Sequence, residues 1–122
     1  MRVDHIDHIQ LAMPAGREHE ARAFYQDVLG IPEIAKPAHL AERGGCWFER
    51  GALKVHLAVE ESFVPARKAH PAFVVQGLRE LATRLQGAGY HVSRDQPLEG
   101  YDRLYVDDPF GNRIELMEPK RL

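Results

Sequence analysis

The chain has 122 residues, 44% of them hydrophobic and 28% charged, a balance that fits one soluble globular domain with room for a buried core. Sixteen basic residues against eighteen acidic ones leave a net charge of -2 with no basic stripe, which argues against nucleic acid as a partner, and no apolar run is long enough to span a bilayer. The opening MRVDHIDHIQ carries acids and histidines where a secretory leader is apolar, and Cys46 is the sole cysteine, so no internal disulfide forms and a cytoplasmic location is expected.

HIQLAM (His8 to Met13) alternates as a strand and is broken by Pro14 and Gly16. A helix is expected from about Arg17, with Ala21, Phe24, Tyr25, Val28 and Leu29 on one stripe and Gly30 at its end. A short extended piece near Ile31 to Ile34 and a loose stretch to Arg43 follow. Next comes a hairpin of Cys46 to Glu49 and Leu53 to Val59 turning at Gly51. The order then repeats. HPAFVV (His70 to Val75) is a strand, and Leu78, Leu81, Ala82 and Leu85 mark a second amphipathic helix ended by Gly87 and Gly89. Tyr90 to Arg94, Arg103 to Val106 and Asn112 to Glu118 are the last strands, the final two joined by the turn DDPFGN. The chain therefore reads as a single domain built from an internal repeat, residues 1–62 and 63–122, with Ser62 to Lys68 as the link.

Each repeat, a βαβββ module, is expected to pack its helix on one face of a four-stranded sheet, so the fold class is α+β with a curled mixed sheet around a central cavity. Strand parity then sorts side chains. Apolar residues face the helices; those of the other parity face the hollow. By that rule the first and fourth strands of each module place His8, His56, His70 and Glu115 toward the hollow. His8 and His70 lie 62 residues apart and His56 and Glu115 lie 59 apart, so each pair occupies near-equivalent positions of the repeat. Three imidazoles and a carboxylate suit a divalent ion such as Zn, Fe, Mn, Ni or Co. A single strand histidine is more often a hydrogen-bonded residue than a ligand, and it is the conjunction of four that points to a metal. His5, His19, His39 and His91 take solvated or structural places, and Cys46 that of a small strand residue.

DHIQLAMP, AFYQDVLGI and DDPFGNRIELME together resemble the vicinal oxygen chelate superfamily, which includes glyoxalase I, bleomycin-resistance and fosfomycin-resistance proteins and extradiol dioxygenases. The resemblance covers nearly the whole chain. It implies the glyoxalase-like fold, and it places the family's metal ligands on His8, His70 and Glu115. The fourth family position, Glu in many glyoxalases, falls on His56, a departure that points away from glutathione-hemithioacetal isomerisation. It further implies a small-molecule substrate and a homodimer.

The expected activity is that of a divalent-metal lyase or isomerase acting on a small oxygen-chelating molecule, with Glu115 and His56 as proton-transfer groups. Arg103, Tyr101 and Tyr105 share hollow-facing parity on the seventh strand and are candidate substrate contacts, Arg103 for an anionic group. Of Trp47 and Phe48, one is core and the other walls the pocket; Trp47 is the candidate. Lys54 and Arg113, of the same parity but near strand ends, are assigned to solvent. The alternatives are an Fe(II) ring-cleaving dioxygenase using His8, His70 and Glu115, and a metal-free drug- or metabolite-binding resistance protein.

Overall fold

The computed structural model describes residues 1–121. The chain divides into two compact units, Met1–Phe63 and Val64–Leu122. In the first unit, strand β1 (Ile9–Met13) leads into helix α1 (Glu18–Ala21), which runs on as a π-helical segment, Arg22–Val28. Strand β2 (Glu33–Ile34), helix α2 (Ala38–Ala41), β3 (Cys46–Arg50) and β4 (Leu53–Val59) complete it. The sheet order is β1-β4-β3-β2. β1 runs parallel to β4, and the other neighbours are antiparallel. A parallel pair needs a crossover, and α1 with its π continuation provides it.

The second unit repeats that plan with β5 (Ala72–Val74), α3 (Leu78–Gly87), β6 (Val92–Ser93), β7 (Tyr101–Asp107) and β8 (Arg113–Pro119) in the order β5-β8-β7-β6. Here β5 is parallel to β8 and the rest are antiparallel.

Strand parity decides what each sheet buries. In the first unit Met13, Val55, Leu57, Cys46 and Phe48 are buried together with Phe24 and Tyr25 of the helical crossover. Tyr25 stacks on Phe48 at 5.4 Å between ring centroids, which fixes helix to sheet. The second unit buries Leu78 and Leu85 from α3, with Leu104, Val106, Ile114 and Leu116 from the sheet. Burial pushes the Cys46 thiol up to about 11. Cys46 is therefore expected to resist iodoacetamide in the native protein at neutral pH and to react at once in denaturant; rapid native-state alkylation followed by mass spectrometry would contradict this.

Two local devices fix the register of the second unit. The turn DDPFGN is built on Asp108, whose carboxylate accepts from the backbone N–H of Phe110 (2.9 Å) and Asn112 (2.8 Å) and from Asn112 Nδ2 (2.9 Å). Glu118 on β8 accepts from the N–H groups of Gly77 (2.7 Å) and Leu78 (3.2 Å), so a strand residue caps α3, and those bonds hold its carboxyl below the usual carboxylate range.

The differences from the sequence reading are local. The first helix widens into a π-helical segment at Arg22, with Leu29 N bonded to Phe24 O at 3.0 Å. A four-residue helix, α2, stands in the stretch expected to be loose. β1 and β5 begin at Ile9 and Ala72, so His8 lies one residue and His70 two residues before their strands' ladders rather than within them.

Candidate functional site

The two units carry matching constellations on the sheet face opposite their helices. In the first, β4 pairs His56 with Gln10 of β1 and with Trp47 of β3, and His8 lies two residues before Gln10. In the second, β8 pairs Glu115 with Ala72 of β5 and with Tyr105 of β7, and His70 lies two residues before Ala72. Thus His8, His56 and Trp47 correspond by register to His70, Glu115 and Tyr105.

The first constellation is a stack of three rings. The ring of His56 lies 4.0 Å from that of Trp47 with 4° between planes, and 4.3 Å from that of His8 with 23°. His56 is only 5% exposed. Its Nε2 bonds to Glu49 Oε2 at 2.8 Å, and Glu49 shares the face with Trp47, two residues on along β3. His8 Nδ1 bonds to Asp7 Oδ2 at 3.0 Å, and Lys54 Nζ stands 3.4 Å from the other oxygen of that carboxylate. Lys54, assigned to solvent from the sequence, thus reaches a neighbour of His8. Gln10, Ala12, Ala58 and Glu60 help to line a depression along β1 and the end of β4, which His56 does not line.

In the second constellation a carboxylate replaces the imidazole. Glu115 Oε1 bonds to His70 Nε2 at 3.0 Å, and Oε2 accepts from Arg103 Nη1 at 3.2 Å. Burial pushes the Glu115 carboxyl up, but the hydrogen bonds from His70 and Arg103 outweigh it and hold the group below the usual carboxylate range. His70 Nδ1 faces the carbonyl oxygen of Lys68 at 2.8 Å. The ring of Tyr105 stands edge-on to that of His70 at 5.5 Å, its hydroxyl accepts from Arg103 Nη1 at 3.0 Å, and the Arg113 guanidinium lies 3.9 Å from its ring centroid. Arg113, expected in solvent, is instead part of this face. Arg103 also donates to the carbonyl of Gln96 from Nε (3.2 Å) and Nη2 (2.6 Å), so its donors are largely engaged. Tyr101 is half-buried at the start of β7, with Arg103 and Tyr105 on the same parity.

His56, Trp47, Glu115, Arg103 and Tyr105 lie within the strands, and His8 and His70 just before β1 and β5. They converge in pairs within each unit: His8 with His56, and His70 with Glu115. Among the described residues no group of three or more His, Cys, Asp or Glu side chains stands ready around one point. Sequence reasoning missed Glu49, although its parity with Trp47 was a signal that could have found it, and Asp7, which had none.

The profile of the Glyoxalase/Bleomycin resistance protein/Dioxygenase superfamily matches residues 4–116. The chain belongs to this superfamily. A glyoxalase family protein from Bacillus anthracis has 48% sequence identity and a TM-score of 0.92, with 98% of each chain covered. More distant proteins share the fold. A fosfomycin resistance protein from Listeria monocytogenes is 19% identical with a TM-score of 0.75, over 99% of this chain and 95% of that one. An antibiotic binding protein from a Streptomyces species is 19% identical with a TM-score of 0.73, over 98% of this chain and 99% of that one. No curated protein matches the chain significantly. The α+β glyoxalase-like fold expected from the sequence is the fold of the chain, with a four-stranded mixed sheet in each module. No helix among the described residues is long and apolar enough to cross a membrane.

Proposed function

We propose that this superfamily member is a divalent-metal-dependent enzyme of lyase or isomerase type, acting on a small molecule that offers two neighbouring oxygens. His8, His56, His70 and Glu115 are the residues that would hold the metal. The observation that carries this reading is the way the three histidines are held. Each has one ring nitrogen on an oxygen acceptor: His8 Nδ1 on Asp7, His56 Nε2 on Glu49 and His70 Nδ1 on the Lys68 carbonyl. Metal-binding imidazoles are oriented in just this fashion, one nitrogen on an oxygen and the other on the ion. His70 differs in that its second nitrogen, Nε2, is also engaged, on the Glu115 carboxylate at 3.0 Å, a bond that the ion would replace. The donor set of imidazoles and one ionised carboxylate fits Zn, Fe, Mn, Ni or Co.

When bound, such an ion supplies Lewis acidity, stabilising negative charge on a substrate oxygen. The chain's own residues do the rest. Arg103 and His70 keep Glu115 ionised and oriented. Glu115 and His56 are the groups placed to move a proton. Trp47, Tyr101 and Tyr105 present aromatic walls, and Arg103 retains charge beside Glu115 for an anionic substrate group. β1 and β5 are edge strands of their sheets, and Val3, Ile6 and Val74 are exposed apolar residues beside or on them, which supports a homodimer. A cytoplasmic location accords with the lone cysteine.

The test is solvent-deuterium exchange into enolisable α-hydroxycarbonyl compounds with added Mn²⁺, Co²⁺, Ni²⁺ or Zn²⁺. Exchange that is abolished by chelator and restored by metal is expected. A second reading, metal-free capture of a planar drug or metabolite, is favoured by the Trp47–His56–His8 stack. Tight binding of planar compounds, equal in wild type and in His70→Ala and without any metal-dependent turnover, would replace the first reading by the second.

A further inference from the structure

His56 is the most fully enclosed of the proposed donors, and its surroundings dictate more than its place. Glu49 Oε2 lies 2.8 Å from Nε2. A carboxylate accepts hydrogen bonds and does not donate them, so Nε2 carries the proton of this bond. In the neutral ring Nδ1 then holds the lone pair. We propose that Glu49 is a positioning residue that locks His56 in the Nε2–H tautomer and so makes Nδ1 the nitrogen through which His56 serves the site.

Three further observations bear on it. Glu49 pairs across the sheet with Lys54, yet Lys54 Nζ lies 3.4 Å from Asp7, leaving the Glu49 carboxylate to the imidazole. Trp47 and His8 stack on the two neighbouring sides of the His56 ring, so tilting out of its plane is blocked. A half-turn of the ring in its own slot would carry Nε2 away from a carboxylate whose side chain is only 20% exposed, stranding it. His8 and His70 are held the other way round, with Nδ1 on the oxygen acceptor. In each unit a charged residue of the adjacent strand meets the central side chain, though from opposite ends of the register: Glu49, two residues after Trp47, bonds to His56, and the Arg103 guanidinium, two residues before Tyr105, donates to Glu115.

The inference rests on the metal reading above for its consequence but not for its first test. Long-range ¹H–¹⁵N NMR of the metal-free protein reads the two His56 nitrogens directly. The wild type is expected to show Nε2 protonated and Nδ1 unprotonated. Glu49→Ala is expected to show a mixture of tautomers, and Glu49→Gln, whose amide oxygen still accepts, to restore the wild-type pattern. A wild-type ring protonated at Nδ1, or a tautomer unchanged in a folded Glu49→Ala, overturns the proposal. Zinc titration of the same metal-free proteins reads the consequence: a ten- to hundredfold loss of affinity in Glu49→Ala and a smaller one in Glu49→Gln. Unchanged zinc affinity in Glu49→Ala with a scrambled tautomer overturns the assignment of Nδ1 to the metal. Absence of zinc binding by the wild type removes the metal reading itself, and the tautomer spectra then still decide whether Glu49 positions His56.

Discussion

Glu115→Gln is expected to lower divalent-metal affinity at least tenfold and to cost about 2 kcal/mol of stability at neutral pH. The side chain is 9% exposed and joined to His70 and Arg103 at 3.0 and 3.2 Å. Removing its charge leaves the Arg103 guanidinium facing a neutral amide in a poorly hydrated place. The sign of the pH dependence follows from its carboxyl, which titrates below the ordinary value of 4.5 in the folded chain. Stabilisation from this group is present in full above that ordinary value and is lost as pH falls through the lower folded value. Chemical denaturation from neutral pH down through the carboxylate range should therefore show the gap between wild type and Glu115→Gln closing on acidification. A gap that stays constant or widens would mean that the His70–Glu115–Arg103 arrangement does not favour the ionised acid.

Gly45→Ala is expected to be the most damaging of the small substitutions, at about 3 kcal/mol or more. Gly45 has φ +84°, and an added Cβ would lie 2.1 Å from the carbonyl oxygen of Leu57. Backbone cannot step aside as a flexible side chain does. The residue stands where β3 enters the sheet beside β4, and its N–H donates to Glu18 Oε2 at 3.0 Å. Relief of the clash would displace Cys46 from its partner Leu57 and carry Trp47 and Glu49 with it. Gly51→Ala is the control: φ is +57° there, but nothing lies within 4 Å of the added atom. It is expected to cost about 1 kcal/mol, from backbone strain alone. Denaturation midpoints of the two variants within a few tenths of one another would contradict the steric account.

Most of the site was legible in the sequence because the period of a strand is short and strict. Parity separated His56 from Val55 and Leu57, and Glu115 from Ile114 and Leu116; all six are buried, so it is the cross-strand partners, Trp47 and Tyr105, that mark the face of His56 and Glu115. It also separated Phe48, which is fully buried, from Trp47, which lies against His56. Glu49 falls under the same rule, but nothing in the sequence of β3 marks it as the partner of His56. Partnership was not legible. Nothing in the sequence shows that Arg103 spends donors on the Gln96 carbonyl, or that Arg113 covers the Tyr105 ring rather than facing solvent. The π-helical segment was hidden because apolar spacings of three and four serve an ordinary helix equally well. The short helix Ala38–Ala41 has too few residues to show any period.

The central claim, that His8, His56, His70 and Glu115 hold a divalent metal, is tested most directly by metal stoichiometry. The protein is stripped with chelator, reloaded with Zn²⁺, Mn²⁺, Fe²⁺, Co²⁺ or Ni²⁺ in turn, desalted, and assayed by elemental analysis beside His8→Ala, His70→Ala and Glu115→Gln. The predicted result is one tightly held ion per wild-type chain for at least one of these metals, with little or none retained by the three variants. Wild-type protein that retains no metal under any of these loadings, or folded variants that retain as much as the wild type, would contradict it.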